Sequence, residues 1–355
     1  MRQLLNIMFL LLTLNLINCA STRKGREAYA DPQIRNPSAW IQESVAHDLA
    51  FLKGQKLNQA EIDRCWSANG PENVRVRIVN NTISYGGPFE KHPRFIDVLR
   101  RLQDLRTLGL PDVTFWTNMG DKLDPTCKSP ILVMSKKKQN THHIPFPDFE
   151  ILSHKNQILS GQDITRYESD FSKKIPKLIW RGALAQEDVT RSNYLTKSRV
   201  KLMLLSDEEP SLLNVAFTGQ APAALPELTK YFKPFLPFED VLNYKYHLWI
   251  DGNTASYTAS GWRFFMNIIV MKPKSENTQW YYHLLVPDVN FVEVEEDLSD
   301  LVVKIKDLNS HPEKAESIAA KAQTFARTHL TDIENMRYLY HLIWEYSKLP
   351  RIEVQ

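Results

Sequence analysis

Hydrophobic positions in the first third of the chain alternate between strand-like and helix-like spacing. Residues 74–79 alternate apolar and polar side chains, as a half-buried strand does. The next apolar positions follow one face of a helix that ends by Gly109: Phe95, Val98, Leu99, Leu102 and Leu105. Short apolar runs at 113–117 and 131–134 predict two more strands. Because strand, helix, strand is the usual order around a parallel sheet, this region predicts a parallel sheet with covering helices.

The same alternation starts again in the second half of the chain. Between 142 and 170 the pattern is irregular, with Pro145 and Pro147 close together, and we place a domain boundary there. Strands are predicted at 177–180, 246–250 and 268–271, an apolar segment lies at 212–217, and helices are predicted at 39–52, 198–205, 298–308, 312–328 and 332–346. The sequence therefore predicts an α/β fold with two Rossmann-like domains that face a central cleft.

The boundary divides the chain into two domains of similar size. Residues 21–150 are assigned to an N-terminal α/β domain, which a C-terminal helix over 331–349 completes, and residues 151–330 to a second α/β domain. Ligands of open α/β sheets bind outside the carboxyl ends of the strands. Residues that directly follow a strand are therefore the first candidates for chemistry.

The amino terminus has the pattern of an export signal. One Arg precedes an apolar run over 4–17, which is shorter than the ~20 residues of a membrane-spanning helix, and small residues follow it. We predict a signal peptide over 1–20 and export to a periplasm or to the lumen of the secretory pathway. An uncleaved membrane anchor, a lipid on Cys19 and a buried helix remain as alternatives.

Composition excludes several classes of protein. Among 355 residues, 43% are hydrophobic and 24% are charged, so bulk disorder and low-complexity repeats are excluded. The formal net charge is +3, too small for generic binding of a phosphate backbone, so we expect no nucleic-acid partner. In an oxidising compartment, Cys65 and Cys127 could pair as a disulfide.

Polar residues follow three of the strand-like segments. Asp121 comes after the segment at 113–117, Arg181 after 177–180, and Asp251 after 246–250. In the two-domain fold each would lie near the carboxyl end of a strand, where the cleft is expected. Asp and Gly are also the usual turn residues, so a plain strand exit remains an alternative for each of the three residues.

The order of these segments resembles glycosyltransferase family 90, which includes CAP10-like capsule enzymes and Rumi-type protein O-glucosyltransferases. The similarity lies in Trp180-Arg181-Gly182, in the run 251–256, and in the stretch 286–301 that precedes the C-terminal helices. The segment 110–121, ending in Asn118-Met119-Gly120-Asp121, is similar to the one that carries the family's catalytic aspartate. Together the motifs span about residues 110–349 in the family's order.

The resemblance implies a GT-B fold and an inverting transfer of a hexose or pentose from a UDP-sugar to a hydroxyl group of a glycan or protein. It implies an acceptor side in residues 21–150 and a donor side in 151–330. It also implies chemistry that needs no metal or other cofactor, and the sequence contains no Asp-x-Asp pair of the kind that grips a diphosphate-bound metal. The partners are then the nucleotide sugar and the acceptor, with membrane association through the N-terminal segment as a further alternative.

The resemblance also implies roles for particular residues. Asp121 is the candidate base that takes the proton of the acceptor hydroxyl. The candidate donor-binding residues are Arg181, Gly182, Arg191, Asp251, Gly252, Asn253, Thr254, Ala255, Ser256 and Arg263. The run 252–256 would present backbone N–H groups at the start of a helix, and arginines would neutralise the departing diphosphate.

The chain departs from the Rumi-type pattern at two donor contacts. Ala183 stands where those members have a serine, and Thr258 or Ala259 where they have an arginine. Arg263, one turn further along the predicted helix, could reach back, because residues four apart share a helix face. The departures keep open a second function, a noncatalytic glycan-binding or scaffold protein on a degenerate glycosyltransferase fold.

Two other patterns carry weaker alternatives. His142 and His143 are adjacent in an extended segment, so their side chains point to opposite faces and no metal site is predicted there. Trp280, Tyr281 and Tyr282 are predicted to lie on a helix, either packed in the core or as a surface on which a sugar stacks.

Overall fold

The computed structural model describes residues 32–53, 58–121, 123–153, 169–184 and 189–349. The predicted signal peptide, with Cys19, lies outside the described residues, as do the side chains of Thr258 and Ala259. Within the described ranges no helix is both long enough and apolar enough to cross a bilayer.

Helices and strands alternate along the described parts of the chain. The helices are α1 (Ala39–Leu49), α2 (Gln59–Ala68), α3 (Pro93–Leu105), α4 (Phe149–Leu152), α5 (Ser198–Glu208), α6 (Phe238–Val241), α7 (Tyr257–Phe265), α8 (Leu301–Ser310), α9 (Pro312–His329) and α10 (Asp332–Ser347). The strands are β1 (Asn73–Val79), β2 (Thr82–Gly86), β3 (Val113–Asn118), β4 (Ile131–Val133), β5 (Lys136–Lys137), β6 (His143–Pro145), β7 (Ile175–Gly182), β8 (Leu213–Phe217), β9 (Tyr244–Leu248), β10 (Ile269–Pro273), β11 (Asn277–Thr278) and β12 (Val292–Val294). The helices and strands that apolar spacing predicted along the chain are confirmed, with their ends shifted by a few residues.

The first sheet has the strand order β2-β1-β3-β4-β6. Strands β3, β4 and β6 are parallel, but β1 is antiparallel to both of its neighbours. The prediction of a parallel sheet was therefore wrong for β1. Strand β2 reverses the chain before α3 begins, so the crossover through α3 joins β2 to β3, with β1 inserted between them.

Apolar spacing missed β2 because this strand lies at the edge of the sheet. Its burial pattern is mostly exposed, so it lacks the alternation that marks β1. The turn before it uses Asn80 and Asn81, both with positive φ (48° and 58°), which suits a two-residue hairpin. The Asn81 side chain also bonds the backbone at Arg106 and Leu110, which holds the hairpin against the end of α3.

The second sheet is entirely parallel, with the order β12-β10-β9-β7-β8. Helices alternate with these strands along the chain, as the sequence pattern of the second half predicts. With two such units, the predicted α/β class with Rossmann-like halves is confirmed.

Helix α10 returns from the second half to pack on the first. It contacts α1, β3, α3 and α4. The Thr331 hydroxyl caps its first turn by accepting from the Glu334 backbone N–H, and the buried side chains Met336, Leu339 and Ile343 face the first core. Trp344, on the same helix, is 36% exposed.

The two halves share one apolar core. The cluster around β1 and α3 also contains Trp249, Phe264, Ile268 and Tyr281 from the second half. A two-stranded antiparallel sheet, β5 with β11, joins the halves again through backbone hydrogen bonds. The aromatic run from Trp280 lies in this joint as a turn followed by a short 3₁₀ helix, so the prediction of an α-helix there was wrong. Its residues pack: Trp280 and Tyr281 are both fully buried.

A disulfide joins α2 to the loop after β3. Cys65 and Cys127 are bonded, with their Cα atoms 5.3 Å apart, so the two cysteines that the sequence offered for pairing are paired. The bond spans 62 residues of sequence and closes a loop that contains β1, α3 and β3. Such a cross-link restricts the unfolded chain and stabilises this half.

A buried ion pair ties three helices of the first half together. The Arg101 guanidinium on α3 donates to the carboxylate of Asp332 on α10 at 2.7 Å and to the carbonyl of Leu152 in α4 at 2.6 Å. The Arg101 side chain is fully buried and that of Asp332 is 6% exposed. The pair therefore fixes where the last helix docks.

We expect Arg101→Met to lower the free energy of unfolding by about 3–5 kcal/mol, because it removes the Arg101 cation from the buried Asp332 carboxylate. Urea unfolding followed by circular dichroism measures this. The control is Arg100→Met: the neighbouring Arg100 is exposed and forms a surface ion pair with Asp97, so its loss should cost at most about 0.5 kcal/mol. Adding Asp332→Asn to Arg101→Met should recover part of the loss, and equal effects of the two single arginine changes would contradict this role.

Candidate functional site

Asp121 lies beyond the carboxyl end of β3, as predicted, and it has a cationic partner. Arg94, in the first turn of α3, donates from one nitrogen to an Asp121 carboxylate oxygen at 3.0 Å and to the Met119 carbonyl at 2.8 Å. Both side chains are partly exposed, with 27% of Arg94 and 32% of Asp121 accessible. The carboxylate is thus held in one orientation while part of it remains open to solvent.

Asp121 and Arg94 face the second half of the chain through Tyr257, the first residue of α7. The Arg94 guanidinium carbon lies 5.9 Å from the Tyr257 ring centre and 4.9 Å from that of Phe149. Burial raises the pKa of the Tyr257 hydroxyl, and the nearby negative charge of Asp121 raises it further. The candidate base of the first half therefore lies beside the segment that the sequence assigned to the donor.

A second polar contact joins the halves close by. The Thr254 hydroxyl, in the loop before α7, donates to the hydroxyl of Ser135, just after β4, at 2.9 Å. We call the contact zone formed by Asp121, Ser135, Thr254 and Tyr257 the seam. It brings the carboxyl ends of β3 and β4 against the loop that follows β9, which is where ligands of such sheets bind.

The run 252–256 forms a tight loop that leads into α7. The Gly252 N–H donates to the Thr254 carbonyl at 3.1 Å, and Ala255 is buried. The helix starts at Tyr257, with Ser256 as its N-cap residue, so the prediction of a helix start here is confirmed. The first N–H groups of α7 thus lie at the seam, where a helix terminus favours negative charge. Asn253 lies within the loop and is half-buried.

The Asp251 carboxylate is held by groups from the segment after β10. Its Oδ2 accepts from the Ser275 hydroxyl at 2.5 Å and from the Asn277 amide at 3.1 Å. Its Oδ1 lies 3.6 Å from the ammonium nitrogen of Lys272. Asp251 is therefore not simply a turn residue at the end of a strand, because its side chain links the ends of β9 and β10.

Arg199 organises the loops after β7 and β9, and sequence reasoning missed it. From α5 its guanidinium donates to the carbonyls of Ala183 at 2.7 Å, Asp251 at 3.1 Å and Ile250 at 3.3 Å. Burial lowers the pKa of Arg199 to about 10, a value that still leaves it charged at neutral pH. Arg199 lies in a predicted helix without a recognisable motif, so its role becomes visible only in the folded structure.

The Trp180-Arg181-Gly182 motif is largely a packing unit. A Cβ atom on Gly182 would lie 2.6 Å from the Trp180 ring, and the other face of the motif is covered by Arg199, whose guanidinium carbon is 5.4 Å from that ring's centre. The Arg181 guanidinium donates to the backbone and side-chain carbonyls of Asn214, both at 2.8 Å. The Trp180 ring therefore leaves room only for glycine at position 182, and Arg181 is bonded to the neighbouring strand β8.

The other two predicted arginines lie in contrasting surroundings. Arg191 is 71% exposed and makes only long contacts, at 3.3 Å, to Glu227 and to the Ala224 carbonyl. Arg263 is buried on α7, stacked 4.7 Å from the Trp262 ring centre, and burial lowers its pKa to about 10. The structure thus brings Asp121, Asp251 and the loop before α7 together, while Arg181 and Arg263 are enclosed by other partners.

Metal-ligating groups are scarce in the described residues. The one group with suitable spacing there is Glu61 with Cys65 and Cys127. Both sulfurs are in the disulfide and are not thiolates, the form that binds metal. His142 and His143 do not converge with a third ligand within the described ranges.

A buried carboxyl group stands next to the seam. Asp148 caps α4 by accepting from the N–H groups of Glu150 at 2.9 Å and Ile151 at 3.1 Å. Burial raises its pKa from 3.8 to about 6. Its charge in turn contributes to the raised pKa of Tyr257 and of Tyr282.

The sequence matches the model of glycosyl transferase family 90 over residues 40–355, and the chain belongs to this family of sugar-transferring enzymes. It is 27% identical over 259 residues to protein O-glucosyltransferase 2 of Danio rerio, which covers 69% of this chain and 49% of that protein. It is 25% identical over 338 residues to human protein O-glucosyltransferase 3, covering 88% of this chain and 64% of that protein. The chain thus spans about half to two thirds of the length of these relatives.

Among solved structures, the chain is similar to Anabaena HepE in complex with UDP and glucose. The match has a TM-score of 0.35 and 12% sequence identity, over 52% of this chain and 55% of that chain. A likeness at this level carries no conclusion about ligands of this protein.

We expect Asp148→Asn to change the pH dependence of stability. The carboxyl group keeps its proton to about pH 6 when folded but only to about 3.8 when unfolded, so its contribution to stability falls as pH rises from about 4 to 6. Asparagine does not titrate. Relative to wild type, the variant should therefore gain stability over that window, on the order of 1–3 kcal/mol by pH 7.

Urea unfolding at pH 4.5 and 7.5 measures this difference. The control is Asp170→Asn: hydrogen bonds from Ser172 lower the pKa of the exposed Asp170, so this group is ionised in both the folded and the unfolded chain from pH 4.5 to 7.5, and its difference from wild type should stay constant there. A wild-type-minus-variant difference for Asp148 that stays constant across this range would contradict the assignment.

Proposed function

We propose that this protein transfers a hexose or pentose from a UDP-sugar to a hydroxyl group of a protein or glycan, with inversion at the anomeric carbon and without a metal ion. The observation that carries the proposal is the seam itself. A partly exposed carboxylate of one half, Asp121, lies beside the loop and helix start of the other half, Thr254 and Tyr257. This arrangement supports Asp121 as the base and the start of α7 as the binding site of the diphosphate.

The reaction then proceeds as a single displacement. The acceptor hydroxyl oxygen attacks the anomeric carbon, and its proton passes to the Asp121 carboxylate. The bond from that carbon to the diphosphate oxygen breaks, and the electron pair leaves with the diphosphate. Because attack and departure are on opposite faces of the sugar, the configuration inverts.

Negative charge grows on the departing diphosphate and needs compensation. The N–H groups at the start of α7 offer it at the seam, whereas the Gly252 N–H already donates to the Thr254 carbonyl. Of the three candidate arginines, Arg191 is the most exposed and makes long contacts, which supports a role in binding a phosphate. Metal independence is supported by the absence of an Asp-x-Asp pair from the sequence.

A protein acceptor is supported by the relatives, which are named as protein O-glucosyltransferases. An oxidising compartment, the periplasm or the secretory lumen, is supported by the disulfide between Cys65 and Cys127. These statements about acceptor and location remain part of the proposal, since the chain spans only part of those proteins.

A binding-only protein on the same fold is a second candidate. Ala183 has no hydroxyl to offer a donor, and its carbonyl is already bound by Arg199. A UDP-release assay with a panel of UDP-sugars separates the two candidates: a binding-only protein is stabilised by the nucleotide sugar in thermal shift but releases no UDP with any acceptor.

We expect Asp121→Asn to lower turnover by about 10²–10⁴-fold, because asparagine cannot take the acceptor proton. Binding of UDP, followed by calorimetry, should stay within threefold of wild type. Asp63→Asn, at an exposed position on α2, is the matched control and should leave both measurements unchanged. Full activity in the Asp121 variant would rule out this residue as the base.

Arg94 is a positioning residue in this scheme, since it holds the base and does not touch the reacting atoms. We expect Arg94→Met to lower kcat by about 10²-fold with little change in the donor KM, because the carboxylate loses its fixed orientation. Arg94→Lys, which keeps one donor, should restore part of the rate, while Arg100→Met on the same helix should have no effect. A change in donor KM alone would show that Arg94 acts on binding instead.

A further inference from the structure

Beside the seam lies a small polar site that the scheme above leaves unused. It consists of Asp251 after β9 and Lys272 near the end of β10, and we call it the Asp251–Lys272 site. Its walls are the rings of Trp249 and Tyr282, whose centres lie 4.6 Å and 5.1 Å from the Lys272 ammonium nitrogen. A carboxylate and an ammonium between aromatic rings is a typical set of groups for binding a sugar.

Each of the two charged groups has an atom without a hydrogen bond. Among the described residues, the Lys272 nitrogen and Asp251 Oδ1 are both buried and neither makes a hydrogen bond to protein. The Lys272 side chain is only 9% exposed, and burial lowers its pKa. The two atoms form an ion pair at 3.6 Å, which is longer than a hydrogen bond, whereas buried polar atoms are nearly always hydrogen-bonded.

Hydrogen bonds hold the Asp251 end of the site in place. Ser275 and Asn277 hold Asp251 Oδ2, and Arg199 holds the Asp251 carbonyl, so the residue is fixed at both ends. The carboxylate therefore keeps one oxygen pointing away from its hydrogen-bond donors. Charge-assisted hydrogen bonds from ligand hydroxyl groups would satisfy this oxygen and the ammonium together.

The site lies on the same loop as the seam. Asp251 begins the loop that leads through Thr254 to Tyr257, the first residue of α7. Besides burial, the charge of Asp251 raises the pKa of Tyr282, and the charge of Asp121 raises that of Tyr257. The site is therefore at one end of the loop where the diphosphate is proposed to lie.

We propose that Asp251 Oδ1 and the Lys272 ammonium bind neighbouring hydroxyl groups of the sugar that is transferred, and so determine which nucleotide sugar the protein accepts. One hydroxyl donates to the carboxylate oxygen, and an adjacent hydroxyl accepts from the ammonium. The inference rests on the proposed function, because it assumes a nucleotide-sugar donor. It makes the sugar, and not the nucleotide, the part of the donor that these two residues recognise.

The test compares UDP with UDP-glucose, UDP-xylose and UDP-galactose by calorimetry on the full chain. Wild type should bind its preferred UDP-sugar more tightly than UDP alone. In Lys272→Met and in Asp251→Asn this advantage should fall by about tenfold or more, while the affinity for UDP stays within threefold. Lys274→Met, two residues along and exposed, is the matched control and should keep the advantage.

Asp251 also holds the loop before α7, so Lys272→Arg is used as a second, independent test of sugar recognition. It keeps the charge but changes the shape of the donor group, so it should alter the ranking of the three UDP-sugars while leaving UDP binding in place. Equal losses for UDP and UDP-sugars, or an unchanged advantage in Lys272→Met, would overturn this inference alone. Failure of wild type to bind any UDP-sugar would overturn the proposed function with it.

Discussion

The candidate site depends first on the apolar core that the two halves share. Trp249, Phe264 and Tyr281 are buried against residues of β1 and α3, and β5 pairs with β11 across the same joint. Since burial of large side chains is the dominant favourable term in folding, the halves are held with the carboxyl ends of their strands together. Without this joint, Asp121 and the loop before α7 would belong to separate units.

Hydrogen bonds from arginines then orient the loops and side chains that the core brings together. Arg199 gathers the carbonyls that end β7 and β9, and Arg94 orients Asp121. Guanidinium groups suit both tasks because their planar donors meet several oxygens in fixed geometry. The arginines of this site thus divide into those that hold the backbone, Arg199 at two loops and Arg181 at strand β8, and Arg191, which remains accessible. A family motif marks some of these residues without stating which task each performs.

The motif residues also show how a sequence signature mixes chemistry with packing. Gly182 is required by the Trp180 ring beside it, and Asp251 links β9 to the segment after β10. Asp121 could be chosen from the sequence because it follows a strand within a recognisable segment. Arg94 and Lys272 could not be chosen in this way. Arg94 lies in the first turn of α3, 27 residues before its partner Asp121, and Lys272 lies near the end of β10 in a segment without a motif. Their partners are brought to them only by folding.

Local patterns by themselves determined the strands and helices with strong alternation, the α/β class, the C-terminal helices and the family. These depend on spacing within a few residues, where side-chain periodicity and backbone geometry act directly. Tertiary structure alone decided the antiparallel insertion of β1, the joining of the halves at β5 and β11, and the partners of each charged side chain. Such features arise from contacts between residues far apart in sequence, whose energies no local pattern records.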